Sequence, residues 1–187
     1  MPQVLFIAYY FPPAGNVGAL RAARWVKYLP EHQWFPIVVT AEPTYYELND
    51  SSLLEGIPSH TRICRTKSIE PAERRGFVAT EKGGLLLSHR MWWEKLENYS
   101  RYHVLVPDVK VGWLPFAVRE ALSIIRGQAI SAIVSTSYPY TAHLVGLILK
   151  LATRKPWVAD FRDPWANYAY LFPLLAPTMQ PRVSSRR

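Results

Sequence analysis

An α/β fold, built as a Rossmann-like doubly wound parallel sheet with helices on both faces, is what this sequence predicts. Three observations carry that reading: short runs that are apolar at every position, helical-period stretches between them, and spacings that suit strand-helix-strand crossovers. A run without polar alternation fits a strand covered on both faces, as parallel sheets are. The 187 residues, 49% hydrophobic and 13% aromatic, suit one domain with a real core and exclude wholesale disorder.

Residues 4–8 (Val-Leu-Phe-Ile-Ala) read as the first buried strand, stopped by Pro12 and Pro13. Asn16 suits a helix N-cap, Val17, Leu20, Ala23 and Val26 recur at helical spacing, and Pro30 ends the run. Residues 37–40 form the second strand, which completes a βαβ unit over 4–40. A third strand over 61–65 rests on β-branched residues. Between 113 and 126, Trp113, Phe116, Ala117, Leu122 and Ile125 alternate with Arg119, Glu120, Ser123 and Arg126, a surface helix with Gly127 placed as its C-terminal cap. A strand over 132–135, a helix over 141–151 that is apolar almost all round, and a strand over 157–161 make a second βαβ unit. Residues 66–112 break the pattern as an inserted amphipathic segment. Residues 166–187 contain no acidic side chain and three prolines, and they read as an unpacked tail.

Charge is distributed unevenly. Residues 1–60 hold 3 basic and 5 acidic side chains, 61–110 hold 10 and 6, and 111–187 hold 9 and 3. Such a basic excess meets nucleic acid, an anionic membrane surface or a phosphorylated substrate. No RNP motif, basic zipper or zinc finger is present to favour nucleic acid. The apolar run 144–149 is far short of the roughly 20 residues that span a bilayer, and the start at Met1 lacks the charged region of a signal peptide. Cys64, the single cysteine, excludes an internal disulfide, and the five histidines lack ligand spacing. A cytoplasmic location is the expectation; a metal site is not.

Ligands of open parallel sheets bind beyond the carboxyl ends of the strands. After the first strand, Gly15 and Gly18 bracket a helix N-terminus, where free N–H groups and the helix dipole favour an anion. The same glycines also suit a plain tight turn. Arg21 and Arg24 follow within two turns, as cleft residues or solvated ones. After the fourth strand, Ser135, Thr136 and Ser137 offer hydroxyls to a polyol, or cap the next helix, whose first turn carries His143. After the fifth, the sequence Asp160-Phe161-Arg162-Asp163 sets two carboxylates around one arginine, either as an ion pair or as a functional group.

Five segments together resemble the N-terminal domain of family 4 glycosyltransferases. They are YYFPPAGNVGALR at 9–21, KYLP at 27–30, VGWLPFA at 111–117, STSYPYTAHL at 135–144 and WVADFRDPW at 157–165, so the likeness covers about residues 3 to 165. The resemblance implies one half of a two-domain GT-B fold. It further implies sugar transfer from a nucleotide-sugar donor with retention of configuration, without a metal or other cofactor. In that family the N-terminal domain mainly binds the acceptor, here a glycan precursor of the cell surface or a lipid-linked one. On this chain the resemblance puts the loop of Gly15, Asn16 and Gly18 beside the donor phosphates and acceptor; from their places at the strand ends, Arg21, Ser135, Thr136, Ser137 and His143 are also expected to bind substrate. The resemblance makes Asp163 the acid/base or acceptor-orienting residue and Arg162 the group that holds phosphate charge. Many members carry histidine at that strand end and this chain does not.

In the family a second, donor-binding domain follows the segment that ends at Trp165, whereas this sequence stops at Arg187. A truncated or frame-shifted product, without transfer activity of its own, is therefore expected. The competing class is a non-catalytic module that binds an acceptor or lipid-linked sugar and needs a partner chain. A nicotinamide-binding domain ranks third, because Glu42 follows the second strand but the three-glycine fingerprint is missing. Residues 85–103, with Leu85, Trp92, Trp93 and Leu96 beside Arg90, Lys95 and Arg101, are expected to touch an anionic membrane at its inner face or a lipid-linked acceptor, the alternative being that these aromatics cover the core.

Overall fold

The run Val4, Leu5, Phe6, Ile7, Ala8 and Tyr9 is apolar throughout because its alternate side chains feed two different cores. Leu5, Ile7 and Tyr9 pack into one, and Val4, Phe6 and Ala8 into the other. In the computed structural model, which describes residues 2–43, 48–69 and 107–162, this run is β1 (Gln3–Ile7). It lies at the centre of a five-stranded parallel sheet with β2 (Phe35–Ala41), β3 (Arg62–Thr66), β4 (Ile130–Thr136) and β5 (Trp157–Asp160), in the order β3-β2-β1-β4-β5. Helix α1 (Val17–Tyr28) covers one face, while α2 (Leu114–Gly127) and α3 (Thr141–Thr153) cover the other. The Rossmann-like α/β class is the fold of this chain. Strand order reverses between β1 and β4, so a crevice opens between the loops that leave these two strands.

Three local expectations are corrected. The buried face of α1 is Ala19, Ala22 and Val26, whereas Val17 and Leu20 are 69% and 39% exposed. Small residues let the helix approach Phe6 and Phe11 closely, and that close fit outweighs the larger area of Leu20. In α2 the buried set is Ala117, Ala121 and Ile124, following a buried Trp113. Gly127 is the last helical residue of α2, and the chain leaves through an extended Gln128 with φ −142°, because β4 starts two residues later. A left-handed cap closes α3 instead: Arg154, with φ 57°, donates its N–H to the Lys150 carbonyl.

The described ends of the 66–112 segment belong to the core. Thr66 closes β3, its hydroxyl accepts from the buried Trp113 indole N–H at 2.8 Å, and Lys110 is only 4% exposed. Ile69 N–H donates to the Gly112 carbonyl at 3.3 Å, so the chain returns to the point it left. A Cβ on Gly112 would lie 1.7 Å from the Ile69 carbonyl oxygen, an approach only glycine allows. The expected membrane element at 85–103 and the tail at 166–187 lie outside the described residues. Among the described residues no helix is long and apolar enough to cross a membrane.

Candidate functional site

Both loops of the crevice are built by local chemistry. Asn16 caps α1, its side-chain oxygen accepting the Ala19 N–H at 2.9 Å. Gly15 donates its N–H to the Leu48 carbonyl, and a Cβ on it would lie 3.0 Å from the Leu48 side chain; with Asp50 N–H on the Pro13 carbonyl, this ties the loop after β1 to the segment around Asp50. Gly18 lies in the first turn of α1. A Cβ there would come within 3.8 Å of both Arg162 Nη1 and the Tyr138 carbonyl, so the guanidinium of Arg162 lies over the N-terminal turn of α1. The end of β5 is strapped to the loop after β4, with Ser137 N–H on the Asp160 carbonyl and Arg162 N–H on the Ser137 hydroxyl.

The charges group differently from their order in the sequence. Asp160 pairs with Arg21 across 139 positions, not with neighbouring Arg162, through bonds of 2.8 and 2.6 Å to Nε and Nη2. The register Thr136↔Asp160 sets these residues side by side, and the Thr136 hydroxyl donates to the same carboxylate at 2.9 Å. The hydrogen bonds from Arg21 hold the Asp160 carboxyl below its ordinary pKa, against the opposing effect of burial. Asp163 lies outside the described residues. Arg24 sits apart, with Trp25, Tyr28, Leu29 and His32 on the outer side of α1.

His143 is 97% removed from solvent and belongs to a buried chain of donors. The Trp157 indole N–H donates to Ser135 Oγ at 2.9 Å, and Ser135 Oγ lies 2.8 Å from His143 Nδ1. An indole nitrogen only donates, so Ser135 accepts from it, and in the tautomer where Ser135 gives its own proton to Nδ1 the His143 hydrogen sits on Nε2. Nε2 is buried without a hydrogen-bond partner. Desolvation pushes the imidazole pKa down to about 4, with the nearby Asp160 charge opposing that shift, so His143 is neutral at pH 7. Gly146 makes the chain possible: a Cβ there would stand 2.4 Å from Trp157 Nε1 and 3.0 Å from Ser135 Oγ.

Two residues of the site had no signal in the sequence. Asp108 caps α3 from outside the helix, its carboxylate accepting the Thr141 N–H and the Thr141 hydroxyl at 2.8 Å each. Lys110 follows with Nζ 5.5 Å from the centroid of the Tyr9 ring. A parallel α/β pattern promises that strand ends and helix N-termini meet, but not which loop supplies the cap. The nearest available signal was the Asp-x-Lys spacing just ahead of Trp113, which also fits an ordinary Asx turn; the Lys110 N–H does donate to Asp108 Oδ1 at 2.9 Å.

As a whole sequence, the chain matches no protein-family model and no curated protein.

Proposed function

We propose that this chain forms the acceptor-binding wall of a retaining glycosyltransferase that uses a nucleotide-sugar donor, with an acceptor on the route to a surface glycan. The observation that carries the reading is the gathering of Arg162, Gly18, Thr136, Ser137 and the Arg21–Asp160 pair at the reversal of strand order. An arginine over a helix N-terminus suits a phosphate, and the hydroxyls beside it suit a sugar. In this reading Arg162 holds donor phosphate, and the loop after β4 orients the acceptor. Asp163 remains the residue proposed to position or deprotonate the acceptor hydroxyl, with residues 85–103 as the proposed contact to an anionic membrane surface.

A non-catalytic sugar-binding module is the second reading, and one observation favours it. Asp160 is engaged by Arg21 and Thr136, and His143 has its Nδ1 lone pair on Ser135, so neither is poised as a base. Calorimetry with UDP-glucose, UDP-N-acetylglucosamine and GDP-mannose, run beside a sugar-release assay, separates the two. Binding that weakens with salt, and that drops roughly tenfold in Arg162→Ala, is expected for a phosphate held by one guanidinium. Turnover overturns the non-catalytic reading, and a nucleotide-sugar that binds and is displaced by inorganic pyrophosphate supports the first reading even without turnover, since this chain is read as the acceptor wall. Glycoside binding with no response to any of the three nucleotide-sugars or to pyrophosphate overturns the first reading and supports the second.

A further inference from the structure

The buried chain from Trp157 through Ser135 to His143 ends on an atom with nothing to bond. Ser135 is fully buried, and its hydroxyl uses both its acceptor and its donor when it accepts from the indole and donates to Nδ1. In that arrangement the imidazole carries its hydrogen on Nε2. A buried donor without a partner is rare in folded proteins and asks for an explanation. Service to the Ser135 hydroxyl accounts for Nδ1 and leaves Nε2 without a partner. The arrangement is also built at a cost, because α3 accepts a glycine at position 146 in mid-helix so that the indole can reach Ser135.

The surroundings limit what the N–H can serve. His143 sits in the first turn of α3, at the carboxyl edge of the sheet, and Phe161 packs on its ring with centroids 4.3 Å apart. Phe161 is 52% exposed and stands where the chain leaves β5. The charged group that acts on the imidazole is Asp160, from β5; from β4 it meets the Ser135 hydroxyl, and in its own first turn the Thr141 hydroxyl belongs to Asp108. An uncharged donor close to a carboxylate attracts a neutral oxygen and discriminates against an anion, which has Arg162 nearby instead.

We propose that His143 is a binding residue for a neutral sugar: its Nε2–H, fixed by Ser135 and Trp157, donates to a hydroxyl or ring oxygen of the bound carbohydrate once the Phe161 ring tilts aside. This rests on the acceptor-binding reading and deepens it, because it assigns one donor to the sugar and none of its affinity to phosphate. An aromatic ring beside a single well-placed polar group is a common composition for a small-ligand site.

The test labels the full chain with ¹⁵N-histidine and follows the His143 ring nitrogens by long-range ¹H–¹⁵N correlation. Methyl glycosides of glucose, galactose and N-acetylglucosamine are added in turn, then inorganic pyrophosphate. The expected result is an Nε2-protonated tautomer whose Nε2 resonance moves with a glycoside and stays still with pyrophosphate. His143→Asn keeps a group near Nδ1 but removes the Nε2 donor, and should weaken glycoside binding roughly tenfold. His143→Gln puts a donor back near the Nε2 position and should recover most of that loss. An Nδ1-protonated tautomer overturns the proposal, as does glycoside binding that shifts the amides of residues 135–141 while leaving Nε2 unmoved; in that second case the acceptor-binding reading survives. No shift anywhere with any glycoside overturns both.

Discussion

Two helix N-termini flank the crevice, and they are satisfied by opposite means. Helix α1 is capped by its own preceding residue, the neutral Asn16, and the positive guanidinium of Arg162 lies over its first turn. Helix α3 receives the carboxylate of Asp108 from 33 positions away, which bonds both the main chain and the hydroxyl of Thr141. The dipole of α3 is thus already matched by a negative charge from within the protein, whereas α1 combines a neutral cap with a nearby cation. Under the proposed function, the difference directs an incoming anion to the α1 side and a neutral group to the α3 side, toward His143.

The largest expected effect concerns the α3 side and pH. The unfolded chain protonates His143 below pH 6.5, whereas the folded chain resists until about 4, so stability falls as pH drops through that window. Its full span is worth about 3 kcal/mol. His143→Gln should flatten this part of the stability profile by one proton, read from urea unfolding at pH 4, 5, 6 and 7; an unchanged slope would remove the neutral imidazole. Next in size, Asp108→Ala leaves the Thr141 N–H without its cap and should cost about 2–3 kcal/mol in the same assay. The matching change at the other helix, Asn16→Ala, should cost about 1 kcal/mol, since a single local bond is lost. Equal losses at the two positions would break the contrast drawn between the helices.

The smallest effect belongs to the Arg21–Asp160 pair. Asp160 is mostly covered but the Arg21 side chain is 42% exposed, so Asp160→Asn should cost no more than about 1 kcal/mol at pH 7. The sign with pH is fixed by the lowered carboxyl pKa. The pair's contribution is complete above the ordinary value of 3.8 and fades as pH falls below it. Wild type and Asp160→Asn should therefore converge in stability toward pH 2 to the extent that this pair separates them at pH 7. Thermal melts in low salt would sharpen the difference, and parallel curves across the acid range would dismiss it.

Elements that depend on near neighbours were readable in the sequence. The alternation of apolar runs with helical stretches gave the strands and helices in order, and Asn16 announced the start of α1 three residues before the N–H it captures. Elements that depend on the closed sheet were not readable. Asp160 and Arg162 look like partners because they are two positions apart, yet parallel pairing puts Asp160 beside Thr136 and under α1, within reach of Arg21. Likewise His143 could be assigned to a first helical turn, but its tautomer required Trp157, fourteen positions on, to fold back over Gly146. Hydrophobic ranking found Val26 but missed the other buried positions of α1, because closeness of approach favoured Ala19 and Ala22 over Val17 and Leu20.

The meeting of Ile69 with Gly112 has a consequence for how this domain tolerates change. Because the core is clasped at those two residues, the chain between them closes a loop whose entropic cost rises only by about 0.6 kcal/mol for each doubling of length. That closure cost varies little with the number of residues in the interval, whereas Asp108 and Lys110, on its returning side, are built into the fold. The clasp is a splice point in this one sense, that a change of length there costs little closure entropy. What it cannot exchange is Gly112, since any side chain there would force the clasp open.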